Sequence, residues 1–284
     1  MYRITAREDL APVTKLFKVH APEVARKAKA GQFVIVRINE EGERVPLTVA
    51  DYDRESGEIT IVFQEVGKTT KQMGTMKVGD EFASFVGPLG QPTEIENYGT
   101  VMVVGGGVGI APIYPIARSL REAGNKVIAI IGARNQGLLF WEDKMRSVSD
   151  ELIVCTDDGS YARKALVTEP MKEILSSDHK PNIIWAIGPA IMMKFAALAT
   201  QPFGVKTIVS LNSIMVDGTG MCGACRVEVG GKTKFVCVDG PEFDGHQVDW
   251  GLLLDRQRIY VDQEKRATER FEQHAHGECC GEGK

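Results

Sequence analysis

The chain has 284 residues, 43% hydrophobic and 25% charged, with a formal net charge of −4 and a pI near 5.8. That composition belongs to a soluble globular protein too long for one ordinary core, so two or three domains are expected. The acidic balance argues against a nucleic-acid partner, and no apolar run approaches the roughly 18–20 residues of a membrane span.

The start, MYRITAREDL, lacks the apolar core of a signal peptide, which predicts a cytoplasmic protein. Of six cysteines, Cys222, Cys225 and Cys237 are grouped, Cys155 stands alone, and Cys279 and Cys280 are adjacent. This is not a disulfide framework.

Residues 1–97 read as a β domain. KLFKVHA, QFVIVRI, PLTVADYD, EITIVFQEV and EFASFVGP show β-branched or aromatic alternation between Gly, Pro and Asp turns. A short helical turn over APEVARKAKA ends at Gly31, and the polar turn Tyr52–Gly57 marks a hairpin. So many short antiparallel strands predict a closed Greek-key barrel. In Arg44-Val45-Pro46-Leu47-Thr48, a guanidinium suited to pyrophosphate sits four residues before a hydroxyl able to bond a ring nitrogen. Gly67-Lys68-Thr69-Thr70 opens a helix whose amides suit phosphate oxygens. Taken alone, both motifs also read as an exposed Arg and an ordinary helix cap.

Residues 98–205 alternate strand and helix, the pattern of a parallel α/β domain. The buried-strand run Thr100–Val104 leads to Gly105-Gly106-Gly107-Val108-Gly109-Ile110-Ala111-Pro112 and a helix closed by Gly124. Strand, glycine turn, helix is the dinucleotide arrangement, although the spacing is not G-x-G-x-x-G. KVIAIIGAR, ELIVCTDD and NIIWAIGP are further strands, and LFWEDKMRSV, ALVTEPMKEILSS and AIMMKFAALATQ further helices. Cys155 reads as an inert core thiol, and Met192 and Met193 as core.

The strand Val205–Ser210 exits the α/β region, and residues 206–262 carry Asp217 and Cys222-x2-Cys225-x11-Cys237. Plant-type 2Fe–2S loops read C-x4-C-x2-C…C; here Asp217 stands at the first ligand position. Gly218, Gly220 and Gly223 let a backbone curl around sulfides. A structural zinc site with three thiolates and a carboxylate is the alternative, within a non-redox binding module. Only one Cys-x2-Cys knuckle is present, which favours the cluster. Arg226–Val229 and Lys234–Val238 read as a hairpin around Gly230-Gly231 that returns Cys237 to the other ligands. Residues 263–284 form a charged helix and a Gly-rich tail, where His274, His276, Cys279 and Cys280 have ligand chemistry but a flexible tail is expected.

Together, Arg-x-Pro-Leu-Thr, Gly-Lys-Thr-Thr, Gly87-Pro88-Leu89-Gly90 and Gly-Gly-Gly-Val-Gly-Ile-Ala-Pro resemble the ferredoxin–NADP reductase superfamily. The resemblance implies FAD at Arg44, Pro46, Leu47 and Thr48, with Gln64, Glu65 and Val66 flanking the ring and Gly67, Thr69 and Thr70 at the pyrophosphate. It implies the nicotinamide nucleotide at Gly107, Gly109, Arg134, Asp157, Asp158, Gly188 and Pro189. Ile187 stands where many members have Cys, so no thiol assists hydride transfer there. Cys237-Val238-Asp239-Gly240-Pro241-Glu242-Phe243 is similar to the turn after the last ligand in one branch. That branch holds the electron-transfer subunit of dihydroorotate dehydrogenase, certain hydrogenase diaphorase subunits, and the small subunits of NADH-dependent reduced ferredoxin:NADP oxidoreductases. The dihydroorotate subunit normally has Cys where Asp217 stands, so the resemblance is to the last of these. It implies a 2Fe–2S cluster on Asp217, Cys222, Cys225 and Cys237, and a larger flavin/iron–sulfur partner in an electron-bifurcating heterodimer serving ferredoxin. It implies no acid–base dyad, and NAD(H) or NADP(H) as substrate.

Overall fold

The first 90 residues place β-branched and aromatic side chains at alternate positions, and they form seven strands that close on themselves. In the computed structural model, which describes residues 2–277, these are β1 (Tyr2–Ala11), β2 (Thr14–His20), β3 (Phe33–Arg37), β4 (Val45–Asp53), β5 (Glu58–Gln64), β6 (Glu81–Phe82) and β7 (Ser84–Leu89). Two helices, α1 (Pro22–Ala25) and α2 (Lys68–Thr75), lie between strands. The antiparallel order is β6-β1-β2-β5-β4-β3-β7. Only Ala83 separates β6 from β7, so the two edges of the sheet are tethered together and it curls into a nearly closed barrel. Ile4, Phe17, Val34, Val36, Val49, Ile59, Ile61 and Phe63 fill its interior. Strand β1 has no counterpart among the predicted segments. Its charged residues hide the alternation, and only Ile4 and Ala11 on it are buried.

The apolar runs of the second region become strands buried on both faces. In chain order come β8 (Thr100–Gly106), α3 (Ile110–Glu122), β9 (Lys126–Ala133), α4 (Glu142–Ser147), β10 (Glu151–Thr156), β11 (Arg163–Lys164), α5 (Thr168–Leu175), β12 (Ile183–Ile187), α6 (Ala190–Thr200) and β13 (Lys206–Ser210). The helix expected from Leu139 starts later, because Trp141 adopts the left-handed conformation (φ 58°) ahead of α4.

The last region contributes β14 (Arg226–Val229), β15 (Lys232–Phe235), α7 (Val236–Asp239), β16 (Glu242–Asp244), α8 (Trp250–Gln257) and α9 (Val261–Gly277). Gly230 and Gly231, both at positive φ, make the tight turn of the β14–β15 hairpin. Cys237 sits on the helical turn α7, where the sequence predicts strand, since Asp239 accepts the Phe235 amide (2.7 Å) and turns the chain. Strand β16 pairs antiparallel with β13, giving the sheet order β11-β10-β9-β8-β12-β13-β16. One apolar cluster therefore spans α6, β13, Cys225, Val227, Val236, Cys237 and Leu253. No helix among the described residues is long and apolar enough to cross a membrane. The side chains of His274 and His276, with Cys279 and Cys280, lie outside the described residues.

Candidate electron-transfer site

Strand β4 presents the first motif. Phe33 pairs with Thr48 and Ile35 with Pro46, so these four side chains share one face of the barrel wall. Leu47 and Val49 point the other way into the barrel core, leaving Leu47 only its backbone for a ligand. Arg44 is exposed at the start of β4 and makes no ion pair among the described residues. Its neighbour Glu43 accepts a hydrogen bond from the buried Thr69 hydroxyl, which brings the N-terminus of α2 to the same spot. Gly67 precedes α2, and Thr70 Oγ1 accepts the amides of Val66 and Gly67, each at 3.1 Å. Val66 is 74% exposed and offers an apolar surface beside Gln64 and Glu65 at the end of β5. A guanidinium, a helix N-terminus and an apolar wall fit a flavin dinucleotide, provided that Glu43 releases Thr69 to an incoming phosphate.

The nucleotide motifs converge at the topological switch point of the parallel sheet. From β8 the order runs one way to β9 and β10 and the other way to β12 and β13, which opens a crevice at the C-terminal ends of β8 and β12. Gly105–Gly109 and Gly188–Pro189 line it. A Cβ at Gly109 would lie 2.1 Å from the Ile187 carbonyl oxygen, so only glycine fits. Gly107 has φ +57° and open space where its Cβ would point, room that a phosphate group can occupy at the start of α3. Met192 packs on the core as the sequence predicts, and it also sets its methyl between the two loops, against Gly106 and Gly188. Asp157 and Asp158 follow β10 and donate their amides to the carbonyls of Ala133 and Arg134, both at 3.1 Å. Burial pushes the Asp157 carboxyl up against the opposing pull of Arg134, and the Ser160 hydroxyl and amide hold Asp158 down.

At the third site the ligand set divides into two pairs. The sulfurs of Cys225 and Cys237 lie 3.2 Å apart in the protein interior. Burial, then the contact with Cys225, pushes the Cys237 thiol up to about 12, so a metal binding there displaces a proton. Asp217 accepts the amides of Thr219 and Cys222, both at 2.8 Å, and these bonds hold its carboxyl below the usual range. No group of three or more His, Cys, Asp or Glu among the described residues is disposed around one metal ion. Two pairs suit two irons better than one tetrahedral zinc, and amides donate to sulfur from Ala224 and Cys237 at 3.5 Å. The loop also seats on the barrel. A Cβ at Gly218 (φ +76°) would lie 2.5 Å from Ile35 Cδ1 and 2.9 Å from Leu89 Cδ1. The cluster loop thus touches β3 on the face shared with Thr48.

Two titratable groups lie apart from these motifs. Cys155 is buried, and that burial pushes its thiol up to about 11 against the opposing pull of Arg163, so it stays protonated and inert. Glu242 accepts from the Thr93 hydroxyl (2.5 Å) and from Trp185 Nε1 (3.1 Å), which ties β16 to the barrel's exit segment and to β12. Burial pushes its carboxyl up to about 7, against both hydrogen bonds. Nothing in the local sequence marks this residue.

Residues 212–249 match the iron–sulfur cluster binding domain of dihydroorotate dehydrogenase B. The chain is 54% identical over 255 residues to a Thermotoga maritima dihydroorotate dehydrogenase B (NAD(+)) electron transfer subunit homolog, covering 90% of each chain. It is 32% identical to the electron transfer subunit of Desulforamulus reducens, over 87% of this chain and 97% of that one. The chain belongs to the dihydroorotate dehydrogenase B electron-transfer-subunit family. Within this family's fold it superposes with a TM-score of 0.91 and 50% identity on a chain of the NADH-dependent reduced ferredoxin–NADP oxidoreductase, covering 95% of this chain and 98% of that one. Phthalate dioxygenase reductase shares the ferredoxin-reductase-like fold at 16% identity and a TM-score of 0.56, over 87% of this chain and 97% of that one. The predicted combination of antiparallel barrel, parallel sheet and C-terminal cluster domain is therefore the observed fold, that of a flavin/iron–sulfur oxidoreductase subunit.

Proposed function

We propose that the chain is the electron-transfer subunit of an electron-bifurcating ferredoxin:NAD(P) oxidoreductase. It would move electrons between NAD(P)H, FAD and a 2Fe–2S cluster inside a heterodimer with a larger flavin/iron–sulfur subunit. Bound in these sites, the three groups supply hydride exchange, the split of an electron pair, and single-electron carriage. The chain's own residues position them. Arg44, Gly67, Thr69 and Thr70 bind the flavin pyrophosphate, Thr48 orients the ring, and Gln64 and Val66 border it. Gly107 and Gly109 receive the nucleotide phosphates, Arg134, Asp157 and Asp158 its outer half, and Gly188 and Pro189 the nicotinamide side. Asp217, Cys222, Cys225 and Cys237 hold the cluster. The observation that carries this reading is the Gly218 contact with Ile35 and Leu89, which seats the cluster loop on the wall that bears Thr48. A ferredoxin as partner of the complex, and a cytoplasmic setting that keeps the thiols reduced, belong to the same proposal.

Anaerobic titration of the purified protein with NADH tests it. Flavin absorbance bleaches first, and an electron paramagnetic resonance signal from a reduced 2Fe–2S centre then grows. A protein that binds FAD but holds zinc and no iron sinks the proposal. The relatives named as dihydroorotate dehydrogenase subunits favour a second reading, service to that enzyme. Co-purification separates the two by the cofactors of the larger chain.

A further inference from the structure

Beyond the ligands themselves, the turn between Cys222 and Cys225 is gripped by side chains outside the motif. Arg256, in the last turn of α8, donates from Nη2 to the Ala224 carbonyl at 3.1 Å. Arg226 donates from Nη1 to the Gly223 carbonyl at 3.3 Å. Gln257 donates to both the backbone and side-chain oxygens of Asn212, at 3.0 and 2.9 Å, and so holds the segment that leads from β13 into the loop. Helix α8 is a firm base for these contacts. Asp249 caps it by accepting the Leu252 amide (2.9 Å), Trp250 donates to the Gly245 carbonyl (3.0 Å), and Leu253 is fully buried.

Arg256 itself is half-buried. Ser213, Ile214, Ala224, Arg226, Leu253, Arg256 and Gln257 enclose a cavity of about 10 Å³, room for no more than one water. Ser213 Oγ is buried there with no hydrogen-bond partner among the described residues. A half-buried guanidinium is screened less than one in bulk water. Three thiolates and a carboxylate bring four negative charges to this loop, and an arriving electron adds another. A fixed positive charge at Ala224 favours the reduced form.

We infer that Arg256 is a positioning residue for the cluster that raises its reduction potential by placing a half-buried positive charge on the Cys222–Cys225 turn. This rests on the iron–sulfur reading above. The experiment is an electron paramagnetic resonance-monitored redox titration of the FAD- and iron-loaded protein, with Arg256→Gln and Arg256→Lys beside the unaltered chain. Arg256→Gln is expected to shift the reduced-to-oxidised ratio at least tenfold toward oxidised at a given potential, 59 mV for one electron. Arg256→Lys keeps the charge and stays within threefold of the unaltered protein, and the flavin potential is the same in all three. An unchanged cluster potential in iron-replete Arg256→Gln overturns the inference, and so does an equal fall in Arg256→Lys. Should Arg256→Gln shed its iron, the Lys variant decides alone, and a shifted potential there overturns the inference. Absence of iron from the unaltered protein is a different failure, that of the functional reading itself.

Discussion

Glu242 is the residue whose chemistry departs furthest from its appearance in sequence. Its carboxyl, ordinarily near 4.5, is pushed up to about 7 by burial. Between those values the folded chain keeps a proton that the unfolded chain has released. Stability from the neutral carboxyl is therefore complete below about pH 4.5 and lost as the pH rises through 7. Glu242→Gln retains an acceptor for Trp185 without the charge. The variant is expected to outlast the unaltered protein in urea at pH 8, by up to about 3 kcal/mol, and to lose that advantage at pH 5. Equal unfolding midpoints at pH 8 would count against the buried-acid account. Asp217 carries the opposite lesson, since its carboxylate already holds the Thr219 and Cys222 amides before any metal is considered. Asp217→Ala removes a proposed ligand and a loop brace together. Iron per chain is expected to fall by at least half while FAD per chain is unchanged, and loss of both cofactors would refute their separation.

At the scale of elements, the cluster loop depends on a glycine that touches another domain. Gly218 combines φ +76° with an approach to Ile35 and Leu89 that leaves no space for a Cβ. Gly218→Val adds roughly 1–3 kcal/mol of backbone strain and pushes the loop off β3. The iron-to-flavin ratio should drop, and reduction of the remaining cluster by NADH should slow at least tenfold in stopped flow, with flavin reduction itself unaltered. Unimpaired electron passage would remove the loop's seat on β3 from the argument. The Gly87–Gly90 segment meets the cluster region in a similar way. The Gln91 amide donates to the Gly240 carbonyl at 2.6 Å, and a Cβ at Gly90 would lie 2.9 Å from Pro241. Two glycine–proline motifs that are 150 residues apart in the chain are thus one joint.

Across the whole molecule, the barrel and the parallel sheet are pinned by a knot of charge and aromatic rings. Asp51, on β4, pairs with Arg118 of α3 (2.7 Å) and Lys144 of α4 (2.9 Å). Arg118 lies over the Tyr52 and Tyr114 rings, and Lys144 lies 4.2 and 4.0 Å from the Tyr114 and Trp141 centroids. The helix that begins at the nucleotide loop is thereby fixed to the strand that bears Thr48. Asp51→Asn leaves two cations facing a neutral amide in a half-buried cleft, at an expected cost of about 1–3 kcal/mol. Differential scanning calorimetry should show a lower Tm with FAD occupancy retained; an unchanged Tm would show that the pair is energetically silent.

Elements and motifs were largely legible because they are local. Alternation exposed β2 to β5, the run Thr100–Val104 exposed β8, and the Asp217-to-Cys237 spacing pointed to the cluster domain that residues 212–249 match. Strand β1 escaped, because its burial comes from partners on β2 and β6 rather than from its own composition. Glu242, Asp51 and Arg256 escaped for the same reason, each acquiring its contacts from residues tens of positions away. Chain order alone dictates which chemistry is available, since glycine conformations, thiol spacing and strand periodicity need only near neighbours. Which sites touch is a long-range matter. The return of β16 beside β13 and the seating of Gly218 on Ile35 depend on surfaces that exist only after both domains have folded, and they bring the loop of Asp217 and Cys222 to the barrel wall that bears Thr48.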